Sequence, residues 1–226
     1  MNKKTEKELN KILSELEDLD FEKKFKLLSK CFLNKEYDNH ALPKANQNEI
    51  LKVNLERFDC VTLVETITSM LLSKNKKEFL INLKKIRYEK NIVSWKTRNH
   101  YFSKWISNNK KNNLLKNIAL AKTKAFNKKL NILKNYKTIK STIKIITYKD
   151  LLAQNIKIKD GDIIAFYSNK KNLDYFHTGF ILKKKKLALL HSSKIKKIVV
   201  IEDLSNFLSR NHCNKMTIVR INSILK

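Results

Sequence analysis

Three cysteines (Cys31, Cys60, Cys213) and five histidines carry most of the nucleophilic and acid–base chemistry this sequence can offer. Cys60 is the best placed. It follows Phe58-Asp59 and opens the apolar run Val61, Leu63, Val64, Ile67, Met70, Leu71, so the spacing predicts a helix with Cys60 in its first turn. There the helix dipole and the free backbone N–H groups favour a thiolate and could bind an oxyanion. The alternative is a small buried core residue, the commonest role of an unpaired cysteine.

The two glycines narrow the choice of partner. Gly161, in Lys159-Asp160-Gly161-Asp162, fits a turn needing φ > 0 before a strand at Ile163 to Tyr167. Gly179 lies two residues after His177 in a strand-like run, hence on the same face, and leaves a gap beside the imidazole. His177 and His191 flank a tight hairpin whose turn is the lysine run Lys183 to Lys186. An odd loop puts both rings on one face; an even loop puts them on opposite faces unless a bulge corrects it. We expect the odd loop or a bulge. His40 and His212 read as ordinary surface or core groups, and His100 is open between roles. No H-E-x-x-H or C-x-x-C spacing occurs, so neither a metal site nor a cofactor is expected.

The elements that must hold these residues follow from periodicity. Leu9, Ile12, Leu13, Leu16 and Leu19, then Phe21, Phe25, Leu28 and Phe32, give two amphipathic helices over 5 to 33, broken near Asp18 to Asp20. Residues 34 to 57, with the only proline, read as irregular, followed by the Cys60 helix to about Ser73 and a short helix at 76 to 85. Residues 86 to 105 mix aromatic and polar types without clean period and read as strand and loop, and 108 to 140 are too rich in Lys and Asn to assign. From 143 onward, β-branched runs at 143 to 148, 162 to 167, 175 to 182, 187 to 192, 197 to 201 and 216 to 222 alternate with turns, and 202 to 210 reads as a short helix. The expectation is a single α+β domain over 1 to 226, with N-terminal helices (1 to 85) packed on a mostly antiparallel sheet of about six strands (mainly 143 to 222).

Composition limits the rest. Lys+Arg of 49 against Asp+Glu of 21 gives a net charge of +28, which on its face suggests nucleic acid or an anionic surface. Yet only Arg57, Arg87, Arg98, Arg210 and Arg220 are arginines, and the lysines are dispersed without interleaved aromatics. Together with the scarcity of Gly and Pro, this is the pattern of an AT-rich coding bias. Nucleic-acid binding is therefore not expected, and a basic binding protein with a structural cysteine is kept as a rival reading. The odd cysteine count argues against a disulfide framework. No signal peptide is visible in the first 25 residues and no membrane span anywhere, so the sequence suggests a cytoplasmic protein, with a periplasmic one or export by another route as alternatives.

Five short runs carry a resemblance: Arg57-Phe58-Asp59-Cys60-Val61-Thr62-Leu63-Val64-Glu65, Arg98-Asn99-His100-Tyr101-Phe102-Ser103-Lys104-Trp105, Asp160-Gly161-Asp162-Ile163-Ile164, Leu173-Asp174-Tyr175-Phe176-His177-Thr178-Gly179 and Leu189-Leu190-His191-Ser192-Ser193. In order and spacing they resemble the N-acetylmuramoyl-L-alanine amidase-like family of the NlpC superfamily. That resemblance implies a papain-like core and peptidoglycan fragments as substrate. It implies hydrolysis of the amide between N-acetylmuramic acid and L-alanine through a thioester, with Cys60 as nucleophile, His177 as base and His191 orienting it. It places Arg98, His100, Tyr101 and Trp105 along the substrate groove, with core packing as the alternative for Tyr101 and Trp105. Asp59 and Ser193 are either supports of the site or a helix cap and a turn residue. The chain departs from the family at Phe32 to Tyr37 and over 108 to 145, where the Gly and Pro features are missing, so a cell-wall endopeptidase or acyl hydrolase of the same fold stays open.

Overall fold

The computed structural model describes residues 1–45, 47–118, 123–134, 136–153 and 157–223. Part of the unassigned stretch 108 to 140, namely 119–122 and 135, lies outside the described residues. Along the chain run α1 (Lys3–Leu16), α2 (Phe21–Cys31), β1 (Glu36–Tyr37), β2 (Arg57–Phe58), α3 (Cys60–Leu71), α4 (Lys76–Arg87), α5 (Phe102–Lys111), β3 (Leu115–Asn117), β4 (Lys124–Leu130), β5 (Ile139–Thr147), α6 (Tyr148–Ala153), β6 (Ile163–Tyr167), β7 (Tyr175–Lys183), β8 (Leu187–Ser193), β9 (Ile198–Asp203), α7 (Leu204–Arg210) and β10 (Lys215–Ile221). This is a mixed α/β architecture whose strands pair mostly antiparallel, β1 with β2 being a parallel exception. The contacts divide the chain into two compact units, one of 1–98, 190–201 and 223–226, the other of 99–189 and 202–222.

In the first unit, polar caps set the helix starts. The side chains of Asn2, Asp20 and Asn75 accept the N–H groups of Thr5, Lys23 and Glu78 at the heads of α1, α2 and α4. Leu9, Ile12, Leu13 and Leu16 of α1, Phe25 and Leu28 of α2, and Phe79, Leu83 and Ile86 of α4 are buried stripes at helical spacing. Helix α3 differs, because every residue from Thr62 to Leu71 is buried. It is the central element of this unit, and Glu65 on it has no route to water. Arg87 supplies the compensation, its Nε donating to Glu65 Oε2 at 2.7 Å and its Nη1 to the carbonyl of Lys52 at 2.7 Å. Strand β1 pairs with β2 (Tyr37 opposite Phe58) and with β9 (Glu36 opposite Ile198).

The second unit is built on β6, β7, β10, β5 and β4, with β3 sharing the β5 edge of β10. On one face Ile146, Ile164, Phe166, Ile181, Met216 and Ile218 form a core with Leu151 of α6 and Leu204, Phe207 and Leu208 of α7. Gly161 has φ 86°, as its turn requires, and the buried Asp162 beside it is held by a two-pronged bond from Arg220, at 2.7 and 2.8 Å.

Most sequence expectations for element type hold: the two N-terminal helices, the Cys60 helix, the helix at 76, the six later strands and the helix near 204. Two need correction. Residues 86 to 105 are not strand and loop: two 3-10 turns (Glu89–Asn91, Trp95–Thr97) and the bridge of Tyr88 to Arg98 lead into α5. Phe102, Trp105, Ile106 and Asn109 form a buried stripe at helical spacing, which the aromatic composition had disguised as strand. The described residues also hold ten strands rather than about six. The additions β1 and β2 have two residues each, too few for alternation to register, while β4 is a mostly exposed hairpin strand with little apolar pattern.

The ion pair in α3 yields a stability prediction. Replacing Arg87 by Met strands the Glu65 carboxylate in the core, and urea unfolding should show a loss of about 3–5 kcal/mol. Adding Glu65→Leu to that variant should recover much of it.

Candidate active site

Cys60 is the first residue of α3, and its position is fixed by a reciprocal cap. The Asp59 carboxylate accepts the Thr62 N–H at 2.7 Å, and the Thr62 hydroxyl accepts the Asp59 N–H at 3.0 Å. One residue earlier, the Phe58 carbonyl accepts the N–H of Asp38 at 3.0 Å and the hydroxyl of the buried Ser192 at 2.7 Å. The turn that carries Cys60 is thus held from Asp38 just after β1, from Ser192 of β8 and from α3 itself. The thiol is half-buried and belongs to no disulfide, nor do Cys31 and Cys213. Burial pushes the thiols of Cys31 and Cys213 above their ordinary range, a setting that suppresses nucleophilicity at both.

Tyr37 is a neighbour that sequence reasoning noted only in passing. Its pairing with Phe58 brings it close to the head of α3. Its phenol is pushed up to about 12, by burial first and then by the nearby Cys60 and Asp59, so it stays protonated at any working pH. A two-residue strand carries no readable pattern, and only the tertiary pairing reveals the proximity.

His191 in β8 is buried, and Ser193 accepts the Lys196 N–H at 3.2 Å, as a turn residue does. Asp59 and Ser193 are therefore a helix cap and a turn residue. Arg98 sets its guanidinium on Glu49, with Nη1 3.0 Å from Oε2 and Nη2 donating to the Pro43 carbonyl at 2.8 Å. Glu49 also accepts the Tyr88 hydroxyl at 2.6 Å. Arg98 so ties the irregular segment near Pro43 to the chain after α4.

In the second unit, His177 stands on β7 opposite Phe166. Its half-buried ring lies along Phe166 (centroids 6.2 Å apart, planes 23°) and Phe207 (5.3 Å, 28°). Beyond this pair the register shifts: Tyr167 faces Tyr175, leaving Phe176 as the extra residue of a bulge. Bulges bend a strand and re-aim the neighbouring side chain. Gly179 pairs with Ile164, two positions along β7 from His177 and so on the same face. The β7–β8 connection is the three residues 184–186, the odd length expected.

The other predicted groove residues also fall in this unit. Trp105 is fully buried and stacked on Phe102 (4.6 Å, 11°), and Tyr101 is 1% exposed, its hydroxyl accepting the Leu133 N–H at 3.4 Å. Burial favours the packing alternative for both. His100 is half-buried, its ring edge-on to Tyr136 at 4.8 Å. The head of α5 has no cap of its own; the buried Asp174 accepts the Ser103 N–H at 2.7 Å and its own neighbour Tyr175 N–H at 2.8 Å. Burial raises the Asp174 carboxyl, with the bonds from Ser103 opposing the rise.

The chain is thus of mixed α/β architecture, with a cysteine at the head of a capped, buried helix and a histidine next to a β-bulge. The family model for N-acetylmuramoyl-L-alanine amidase-like proteins matches residues 27–217, and the chain belongs to that family. An N-acetylmuramoyl-L-alanine amidase from Bacteroides uniformis is similar at 27% identity and a TM-score of 0.79, over 89% of this chain and 98% of that one. A Bacteroides fragilis protein provisionally described as a xylanase is 26% identical with a TM-score of 0.75, over 86% and 99%. A Legionella pneumophila protein shares the fold, with a TM-score of 0.84 at 19% identity over 96% and 94%. No curated protein sequence matches the chain. Among the described residues no helix is long and apolar enough to cross a membrane.

The cap makes a pH prediction. Asp59 is half-buried and its carboxyl is raised above the ordinary 3.8, by desolvation first. The folded state therefore holds this proton more tightly than the unfolded one, and its contribution to stability falls as pH rises from about 4 through the raised value. Asn keeps the cap acceptor without the charge. Asp59→Asn should flatten the melting-temperature profile above pH about 4, and Asp59→Ala should have the same flat profile about 1 kcal/mol below Asp59→Asn at every pH. Equal profiles in Asn and wild type would contradict the assignment.

Proposed function

We propose that this chain is a peptidoglycan amidase that hydrolyses the N-acetylmuramoyl-L-alanine bond by cysteine catalysis, with the papain-like arrangement of the NlpC superfamily. The observation that carries the reading is Cys60 at the head of α3, held there by the Asp59–Thr62 box inside the stretch matched by the amidase-like family. A thiolate at a helix N-terminus meets backbone N–H groups and the positive end of the dipole, the setting a nucleophilic cysteine and its oxyanion require.

His177 takes the Cys60 proton, and Sγ attacks the lactyl carbonyl carbon of the muramic acid. The tetrahedral oxyanion collapses, the C–N bond breaks, and His177 returns the proton to the departing L-alanine amine. Water, deprotonated by His177, then cleaves the thioester, giving the muramic carboxylate and regenerating the thiol. His191 orients the His177 ring, and the odd hairpin connection supports this role. Tyr37, protonated beside Cys60, is an added donor for the carbonyl oxygen. Among the groove residues, His100 is the direct contact; Arg98 acts by fixing the segment near Pro43 through Glu49, and Tyr101 and Trp105 support from within the core.

Cys60→Ala and His177→Ala should each lower turnover of a defined muropeptide by at least about a thousandfold while leaving circular dichroism unchanged. Mass spectrometry should show free stem peptide with an N-terminal L-alanine. Products cut within the peptide would indicate an endopeptidase of the same fold, and unchanged hydrolysis in Cys60→Ala would refute cysteine catalysis.

A further inference from the structure

The hairpin β4–β5 lies largely in the stretch where the family's Gly and Pro features are missing, yet one of its residues reaches the turn that leads into the strand carrying His177. The Lys128 ammonium donates to three backbone carbonyls of the β6–β7 connection: Ser168, Lys170 at 2.8 Å and Leu173 at 2.7 Å. It also sits over the Tyr167 ring, 4.1 Å from its centroid. Three carbonyls converging on one cation use all three N–H donors of a lysine.

Position gives this cluster its meaning. Tyr167 is the residue at which the β6–β7 register shifts, and the carbonyls belong to the turn that returns the chain to Tyr175, the bulged Phe176 and His177. Side chains next to the turn close the same ring: Phe126 of β4 lies 5.4 Å from Tyr167, and Lys215 of β10 stands over both. At the far end of the turn, Ser168 N–H donates to the Asp174 carbonyl at 2.8 Å, and Asp174 caps α5. A bulge can in principle migrate by a residue, and each such step would turn His177 to the opposite face. The ammonium ties the two ends of this turn together, at Ser168 and Leu173, directly ahead of the strand with the bulge.

We propose that Lys128 is a positioning residue for His177: by clamping the carbonyls of 168–173 and the Tyr167 ring it fixes the bulge, and with it the direction of the imidazole. The inference rests on the functional reading above. An arginine can keep part of the clamp because its guanidinium also donates to carbonyls and stacks on tyrosine.

The test compares wild type with Lys128→Met, Lys128→Arg and Cys60→Ala on a defined muropeptide, alongside the NMR titration of the His177 imidazole. Lys128→Met should lower kcat on the order of ten- to a hundredfold with KM little changed, as misplacement of a reacting group by about 1 Å does. The acid limb of its pH–rate profile and the His177 ring shifts should move together, and Lys128→Arg should restore most of both. Wild-type kcat and wild-type His177 shifts in a folded Lys128→Met would overturn the proposal. So would equal losses in the Met and Arg variants that follow melting temperature alone. If Cys60→Ala stays active the functional reading falls instead, and unmoved His177 resonances in Lys128→Met would still decide against the clamp. Should Lys128→Met not fold, Lys128→Gln, which has one N–H donor fewer and no charge, serves the same comparison.

Discussion

Everything in the first unit leans on the ion pair of Glu65 and Arg87. A helix buried on every side can carry a carboxylate only if a cation follows it inside, because desolvating either ion alone costs several kcal/mol. Arg87 meets that condition and in the same gesture takes the Lys52 carbonyl, so that α3, α4 and the irregular chain ahead of β2 are fixed to one another. The segment that ends in Asp59 and Cys60 is therefore stiff before the cap closes. The proposed role of Cys60 depends on such anchoring, since the reach of a short side chain is set by the backbone that carries it. Glu49, shared by Arg98 and Tyr88, extends the same logic towards Pro43.

The second unit reaches precision by another route. His177 lies within a sheet, where geometry is regular and hard to adjust, and the bulge at Phe176 provides the adjustment. Its ring rests against Phe166 and Phe207, so aromatic packing limits its rotation. The price of a bulge is a weakened ladder, and backbone carbonyls of the adjoining turn are gathered by Lys128 instead. In a chain with 49 Lys and Arg residues, an ammonium group committed to three backbone carbonyls is informative.

Sequence patterns were sufficient where one physical rule dominates. Cys60 was placed at a helix start because Asp59 and the apolar run after it leave few other readings, and the capping box confirms that local rule. Gly161 was placed in a turn because a positive φ excludes most side chains. Patterns failed where several weak preferences compete. Phe102 and Trp105 favour strands as residue types but were drawn into α5 by a buried stripe and a cap lent by Asp174, a residue far along the chain. Tyr101 and Trp105, which the motif left open between groove and core, are buried; a motif preserves identity without specifying which side chains meet solvent.

The sequence by itself determined the helical first part and strand-rich last part, the helix on which Cys60 stands and the strand on which His177 stands, since these follow from local periodicity, caps and turns; the family followed from the order and spacing of five short motifs. Tertiary structure alone decided that Arg98 is spent on Glu49, that Tyr37 lies beside Cys60, that the β7 bulge falls at Phe176 and that Lys128 holds its turn. Each of these joins residues distant in sequence, and such pairings are selected by the desolvation of charges and carbonyls in the folded chain, a cost that no local pattern records.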